Sequence, residues 1–502
     1  MIPFFKNLPY SKQLFALLMG LFCFRLIYAL FLPLSPQESY YWVYSLHPAL
    51  SYFDHPPLVA YTIVLFSKLL GPAVLAVRLG PLLYSVGLSW LVFLIGRKMF
   101  DEWTGFRAVL LMNLLPTFSI TSLIMTPDCP LVFFWCLGWF FILQAIQEDR
   151  YSFYLWSGIG LGLAFMSKYT AVFFPVSVFL FLIVSPDHRH HLKRIEPYGG
   201  LILALLIFSP VLIWNFQHHW ASIAFQSTQR AGGMRAFEWD ELGKFLGSQA
   251  GILTPFVFAG FCWTIGLGFK RLWKGKSWKE TFLLCLALPM VGLFTLTATR
   301  EWVKINWLIP AYPPLLLLMV AFYQNRTFSW KWIYTGYAQW TWVIAVLFFL
   351  SIHLAPLIPQ IPVSGSTDTM TGWQELADHL EKIQKETKSS PPPFIFSWGH
   401  KTASELQFYL KDQPETFAQT VLGKKALAYD YWFDAKPLQG KDALFVWSDF
   451  EGFPDEKSGL LEKYFDRTEI LEPFTVFRGK RPLRTFRIYR CYGYKGYTSI
   501  QP

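Results

Sequence analysis

The sequence predicts an α-helical polytopic membrane protein of about eleven transmembrane helices, followed by a small C-terminal α/β domain outside the cytoplasm. Three observations lead there. The 502-residue chain is 53% hydrophobic and 19% aromatic but only 15% charged, against roughly 25% charged in an average soluble domain. Its apolar residues gather in runs of about 20, the length that spans a bilayer. Its basic excess is confined: residues 356–502 carry 19 Lys+Arg and 19 Asp+Glu, leaving 25 and 14 of the chain's 44 and 33 to residues 1–355. A disordered chain, a collagen-like chain and an ordinary soluble enzyme are excluded. Basic charge restricted to the hydrophobic part reads as membrane topology, not nucleic-acid binding. The cysteines form no CxxC, so neither a disulfide framework nor a zinc cluster is expected.

The first run, 14–34, follows Lys6 and Lys12 and ends at Pro33, Pro36 and bulky aromatics. It is too long for a signal-peptide core and lacks a small-residue cleavage site, so it reads as a retained helix. Arg25 within it must face protein or water. Further spans are expected at 75–96, 106–125, 129–147, 154–168, 170–185, 198–215, 248–269, 281–298, 306–323 and 332–353. One set of loops is basic: Arg97, Lys98 and Arg107; His188, Arg189, Lys193 and Arg194; Lys270, Arg271, Lys274, Lys276 and Lys279. The loops at 35–57, 126–128, 216–247 and 299–305 are acidic or mixed. The positive-inside rule puts the basic set in the cytoplasm and, with an odd number of spans, the tail outside. The expected location is the cytoplasmic (inner) membrane, multi-pass. The shorter stretch 58–73 suits an amphipathic helix lying in the interface; as a twelfth span it would put the basic loops outside.

A boundary falls in the Pro-rich segment 355–365, dividing a membrane domain, 1–355, from a tail, 356–502. Thr371–Gln374 has capping-box spacing before an amphipathic helix running to about 388. Phe394–Ser397 and Ala443–Trp447 read as strands, with Pro391–Pro393 turning the chain ahead of the first.

The chemistry gathers on the expected outer face. Residues 35–58, SPQESYYWVYSLHPALSYFDHPPL, hold Glu38, Asp54, His47 and His55 among six Tyr, Trp and Phe residues, with no Lys or Arg. Carboxylates beside apolar walls offer a general base and a charge or metal binder; the plainer reading is an aromatic belt with incidental acids. Asp128, in TPDCP between two spans, is costly unless functional, or else sits in a solvated turn. Lys168-Tyr169 interrupts an apolar run, as a cation for phosphate or a snorkelling lysine. His218, His219, Arg230 and Arg235 lie in one loop, and Glu301, Lys304, Asn306 and Trp307 in another. Each is weak alone. Together, cations for phosphate and carboxylates for a hydroxyl proton suit a phosphorylated, lipid-linked substrate.

The stretches ESYYW…LSYFDHPPL, TPDCPLVFFW, SKYTAVFF, QHHW and INWLIPAY, with SELQFYL, YDYW and KDALFV in the tail, resemble bacterial glycosyltransferase family 39 over roughly residues 30–490. That group includes relatives of protein O-mannosyltransferases and of lipid A aminoarabinose and galacturonic acid transferases. The resemblance implies a GT-C fold, a catalytic first outer loop here at 35–73, and inverting transfer from a polyprenyl-phosphate sugar on the outer face. The acceptor would be a lipid, glycan or protein hydroxyl. The family's catalytic Asp-Glu pair falls on Gln37 and Glu38; an amide cannot act as a base, so the role would pass to Glu38, Asp54 or Asp128. The resemblance puts His55, Lys168 and Tyr169 against the donor phosphate; Gln37, Tyr41, Arg230, Lys304 and Asn306 are further expected substrate contacts, by residue type and place on the same face. It also implies that Asp54 binds a divalent metal or positions the donor; His218, from its own loop, is the further candidate ligand. The other classes are a transporter, which would place charges mid-span or break helices symmetrically in two halves, and a non-catalytic scaffold, made plausible by Gln37.

Overall fold

The computed structural model describes residues 9–229, 237–272, 277–324, 331–358, 368–387, 391–451 and 459–497. It divides into two compact units: residues 1–29, 55–59 and 78–353, and residues 30–54, 60–77 and 354–502.

The helices in chain order are α1 (Tyr10–Phe31), α2 (Pro36–Leu46), α3 (Leu58–Leu70), α4 (Val74–Met99), α5 (Glu102–Leu114), α6 (Pro116–Thr121), α7 (Asp128–Glu148) and α8 (Phe153–Ser167). They continue with α9 (Phe173–Val184), α10 (Glu196–Gln217), α11 (Ala221–Ala224), α12 (Trp239–Leu253), α13 (Pro255–Leu272), α14 (Trp278–Ala298), α15 (Tyr312–Gln324) and α16 (Lys331–Leu354). Every expected span is helical, but two are corrected. The span at 106–125 is broken at Leu115, where Pro116 cannot continue the helix. The span at 248–269 straddles α12 and α13, which meet at 110° around Thr254, whose φ is +70°. Among the described residues six helices are long and apolar enough to cross a bilayer, or seven if that bent pair is one span. Shorter apolar helices fill the expected positions 154–168, 170–185 and 306–323, and α3 is the helix expected to lie in the interface. At about 1.5 Å per residue its 13 residues reach about 20 Å, short of a bilayer.

In the first unit α8 lies close against both α7 and α10 because glycines remove the side chains between them. A Cβ on Gly158 would stand 2.2 Å from the Gly200 carbonyl oxygen, and one on Gly160 2.8 Å from the Gly138 nitrogen. Close backbone approach supplies the packing that lipid solvent cannot drive. Arg25, as expected, faces protein: it is buried and donates to Asn113 Oδ1 at 3.0 Å, while Asn113 donates to Ser89 Oγ at 3.0 Å.

The second unit carries the tail. Helix α17 (Trp373–Thr387) precedes strand β1 (Phe394–Ser397), α18 (His400–Tyr409) crosses over to β2 (Ala443–Ser448), and β3 (Phe465–Ile470), β4 (Phe474–Arg478) and β5 (Arg481–Tyr494) follow. The sheet order is β1-β2-β5-β3, with β4 also pairing β5; β1 and β2 are parallel and every pairing to β5 is antiparallel. The alternation of β2 makes two cores. Leu444 and Val446 pack with Trp373, Leu376 and Leu380 of α17, whereas Ala443 and Phe445 pack with Phe396, Phe465 and Cys491. The Thr371 hydroxyl, expected to cap α17 with Gln374, donates to Asp368 at 2.9 Å, and Gln374 donates to Asp378. Asp368 has the stronger claim because it also receives the Thr371 amide at 3.1 Å and pairs with Arg478.

Candidate functional site

The first unit assembles one charged cluster. Asp128 opens α7 between Pro127 and Pro130, a start that suits proline and that the helix dipole favours for an anion. Lys168 caps the C-terminal end of α8 in an extended conformation, where the same dipole favours a cation. Its Nζ donates to Asp128 Oδ1 at 2.7 Å, and Asn306 Nδ2 donates to Asp128 Oδ2 at 2.6 Å. Asp128 and Lys168 are 3% and 7% exposed, so each charge has lost its water and depends on the other. Three expected site residues, far apart in sequence, are thereby brought together. Tyr169, half-buried, shares a 2.6 Å hydrogen bond with Ser222 Oγ. Lys304 is half-buried and His55 is buried. His218 stacks on Trp214 at 4.1 Å and its Nδ1 donates to the Trp214 carbonyl at 2.8 Å, so that nitrogen carries the hydrogen. Arg230 lies outside the described residues.

In the second unit α2 presents its residues to the tail. Ser35 and Glu38 form a capping box: the Ser35 amide and hydroxyl donate to Glu38 Oε2 at 2.9 and 3.1 Å, and the Glu38 amide donates to Ser35 Oγ at 3.4 Å. Pro36 follows in the first helical turn. This S-P-Q-E signature is present in the sequence, where Glu38, which is fully buried, stands out only by its charge and by the family resemblance. Gln37 is half-buried beside it. Asp54 is buried, and its Oδ1 accepts from Tyr40 at 3.1 Å and from Tyr44. Burial first, and the Asp54 charge second, push both phenols well above their usual range, so both stay protonated donors. Tyr41, also buried, has its ring edge-on to Tyr44 at 5.6 Å.

The tail residues that touch α2 and its flanks include members of SELQFYL and YDYW, with Ala428 and His400 just outside them. Tyr409 accepts from the Leu34 amide at 2.8 Å, Phe408 meets Trp42 edge-on at 5.0 Å, and Trp432 stacks flat on His47 at 4.5 Å. The Ala428 amide donates to the Tyr40 hydroxyl at 3.2 Å, and His400 packs against the Tyr40 ring at 4.6 Å. Contacts between residues nearly 400 positions apart leave no mark in local sequence, so Tyr40, Tyr44, His400 and Trp432 were not predicted.

Asp54 and His218 are the residues expected to hold a metal. Among the described residues neither Asp54 nor His218 falls in a grouping of three His, Cys, Asp or Glu ligands. Asp54 Oδ1 is taken by two phenols.

Comparison with known proteins agrees with the fold. The structure aligns with apo ArnT from Cupriavidus metallidurans with a TM-score of 0.65, at 15% identity, over 96% of this chain and 98% of that one. It aligns with the same protein bound to undecaprenyl phosphate at 0.63, also at 15% identity, over 94% and 97%. The profile of the dolichyl-phosphate-mannose-protein mannosyltransferase family matches residues 54–214. Fold and apolar helices together give the class: this is a multi-pass membrane protein with the fold of ArnT, a polytopic helical domain carrying a small C-terminal sheet domain, the architecture that the sequence resemblance implied. In sequence it is similar to the lipid A galacturonosyltransferase RgtD of Rhizobium johnstonii, 28% identical over 299 residues. That alignment takes in 57% of this chain and 59% of the relative's length.

Proposed function

We propose that this protein transfers a sugar from a polyprenyl-phosphate donor to an acceptor hydroxyl on a lipid, glycan or protein, with inversion. The reaction would occur on the outer face of the cytoplasmic membrane, with residues 356–502 as an extracytoplasmic domain. The observation that carries this reading is the buried Asp128–Lys168–Asn306 cluster. A lysine held desolvated by one carboxylate can exchange that partner for a donor phosphate and be worth far more there than a solvated cation. Lys304 and Arg230 would add positive charge to the same donor. The undecaprenyl phosphate bound by the ArnT neighbour, and the lipid A specificity named for RgtD, support this donor and acceptor class.

In the proposed step the acceptor oxygen attacks the anomeric carbon as the bond from that carbon to the phosphate oxygen breaks. Polyprenyl phosphate leaves with the electron pair, and a carboxylate, Glu38 or Asp128, takes the acceptor proton. Phosphate leaves readily, so less acid assistance is required than in glycoside hydrolysis. Asp54, clamped by two phenols, shapes the loop that carries Tyr41 and Gln37. No step runs through a metal.

The test is transfer of radiolabelled sugar from a panel of polyprenyl-phosphate sugars in purified membranes, comparing wild type with Glu38→Gln and Asp128→Asn. Glutamine also satisfies a capping box, so Glu38→Gln removes charge while keeping the helix start. Transfer lost in either variant supports the assignment, and loss in Glu38→Gln names Glu38 as the base. Full transfer in both would refute the site.

A further inference from the structure

The loop 185–195, DHRHHLK and its flanks, is absorbed by no part of the proposed reaction. We infer that Asp149, His190 and His191 form a binding site for a divalent transition-metal ion of the zinc class, separate from the transfer chemistry. One ligand atom from each of the three lies within 4.8 Å of the others. Two ligands about 2 Å from a tetrahedral metal stand about 3.3 Å apart, so a small side-chain rotation closes the site. Asp149 and His190 are exposed, so their side chains have room to make it.

The surroundings orient both rings as metal ligands are oriented. His190 Nδ1 is 2.9 Å from the Asp187 carbonyl, which only accepts, so Nδ1 carries the hydrogen and Nε2 the lone pair. His191 Nδ1 is 3.1 Å from the Tyr154 hydroxyl, and the two imidazoles lie 4.3 Å apart. Such second contacts fix ring orientation and raise ligand affinity. Asp149 is held at the end of α7 in a left-handed conformation, φ +51°, turned back toward the loop. The opposing charge is Arg194, which lies 4.2 Å over the Tyr151 ring and donates to its hydroxyl. One carboxylate, two imidazoles and a water suit zinc, cobalt(II) or nickel(II) better than calcium or magnesium.

Asp128 and Asp149 stand at opposite ends of the 21-residue helix α7, about 30 Å apart by helix rise. The ion therefore ties the α7–α8 turn to the α9–α10 loop, away from the charged cluster.

The experiment uses tag-free, full-length protein stripped with chelator and titrated calorimetrically with Zn²⁺. Wild type should bind one ion per chain, and its apparent Tm should rise with Zn²⁺. Both His190→Ala and Asp149→Asn change exposed groups and should weaken binding at least about tenfold, with the Tm shift lost. His218→Ala should bind as wild type. The proposal is overturned if wild type takes up no Zn²⁺, if both variants bind as wild type, or if only His218→Ala loses the ion. Sugar transfer enters none of these readouts, so the failure of either proposal can be told from that of the other.

Discussion

Asp54 and Asp128 are both buried aspartates, one in each unit, and they are satisfied by opposite means. Asp54 receives neutral phenolic donors from its own segment, Tyr40 and Tyr44, 14 and 10 residues away. Asp128 receives a cation 40 residues away and an amide 178 residues away. The phenolic clamp holds Asp54 within its own segment. A cation clamp cancels the charge and stores a lysine that an anionic ligand can recruit. The second changes its electrostatics when a phosphate arrives.

The largest effect that would break this contrast comes from Lys168. Lys168→Met strands Asp128 without its cation and should destabilise the protein by about 3–5 kcal/mol and abolish transfer. Pairing it with Asp128→Asn should restore most of the stability, because no unpaired charge remains, while transfer stays absent. Thermal melts and transfer assays on the single and double variants check this. Activity returning along with stability would reduce the pair to a structural one.

Next is Glu38. Glu38→Gln should lower transfer by about 10²–10⁴-fold if Glu38 is the base, and change stability by less than about 0.5 kcal/mol. Glu38→Ala should cost about 1 kcal/mol more, through the lost cap. Equal melting of the Gln and Ala variants would show that the cap contributes nothing.

On the neutral clamp, Tyr44→Phe removes one donor from Asp54 and should cost about 1–3 kcal/mol, with a partial loss of transfer. A variant as stable as wild type would mean that Asp54 is satisfied without it.

The smallest effect lies in YDYW. Burial raises Asp430 from 3.8 to about 6, although its oxygen accepts the Ala426 amide at 2.7 Å. A carboxyl raised on folding is bound more tightly to its proton in the native state. Its contribution is therefore neutral below about pH 4 and becomes a penalty as pH rises through about 6. Asp430→Asn should stabilise by about 1 kcal/mol at pH 8, discounted for partial exposure, and by nothing at pH 4. Melting temperatures at the two pH values decide it.

Much of the fold was legible because bilayer thickness and apolar run length are the same quantity measured twice. The runs at 75–96, 129–147 and 198–215 became α4, α7 and α10, and the β1 and β2 strands appeared where short apolar runs were read. The two broken spans were not legible as breaks, since a run stays apolar across Pro116 and across the turn at Thr254. At the candidate site, Asp128, Lys168 and Asn306 were each identifiable as polar residues at the ends of apolar runs. Their mutual distances were not. Glu38 was singled out for its charge, while its S-x-x-E spacing, equally visible, gave it a helix cap as well.

The sequence by itself determined the solvent each segment prefers, because transfer free energy is additive along the chain. It therefore determined the membrane class, the helical segments, the separate tail and the polar residues too expensive to leave unexplained. Only the tertiary structure decided which of those residues meet. Pairing Lys168 with Asp128, Tyr40 and Tyr44 with Asp54, and the tail's Trp432 with His47 depends on packing between distant segments. The energy of a charge or hydrogen bond is set by a separation of a few ångströms, which no count of residues along the chain contains.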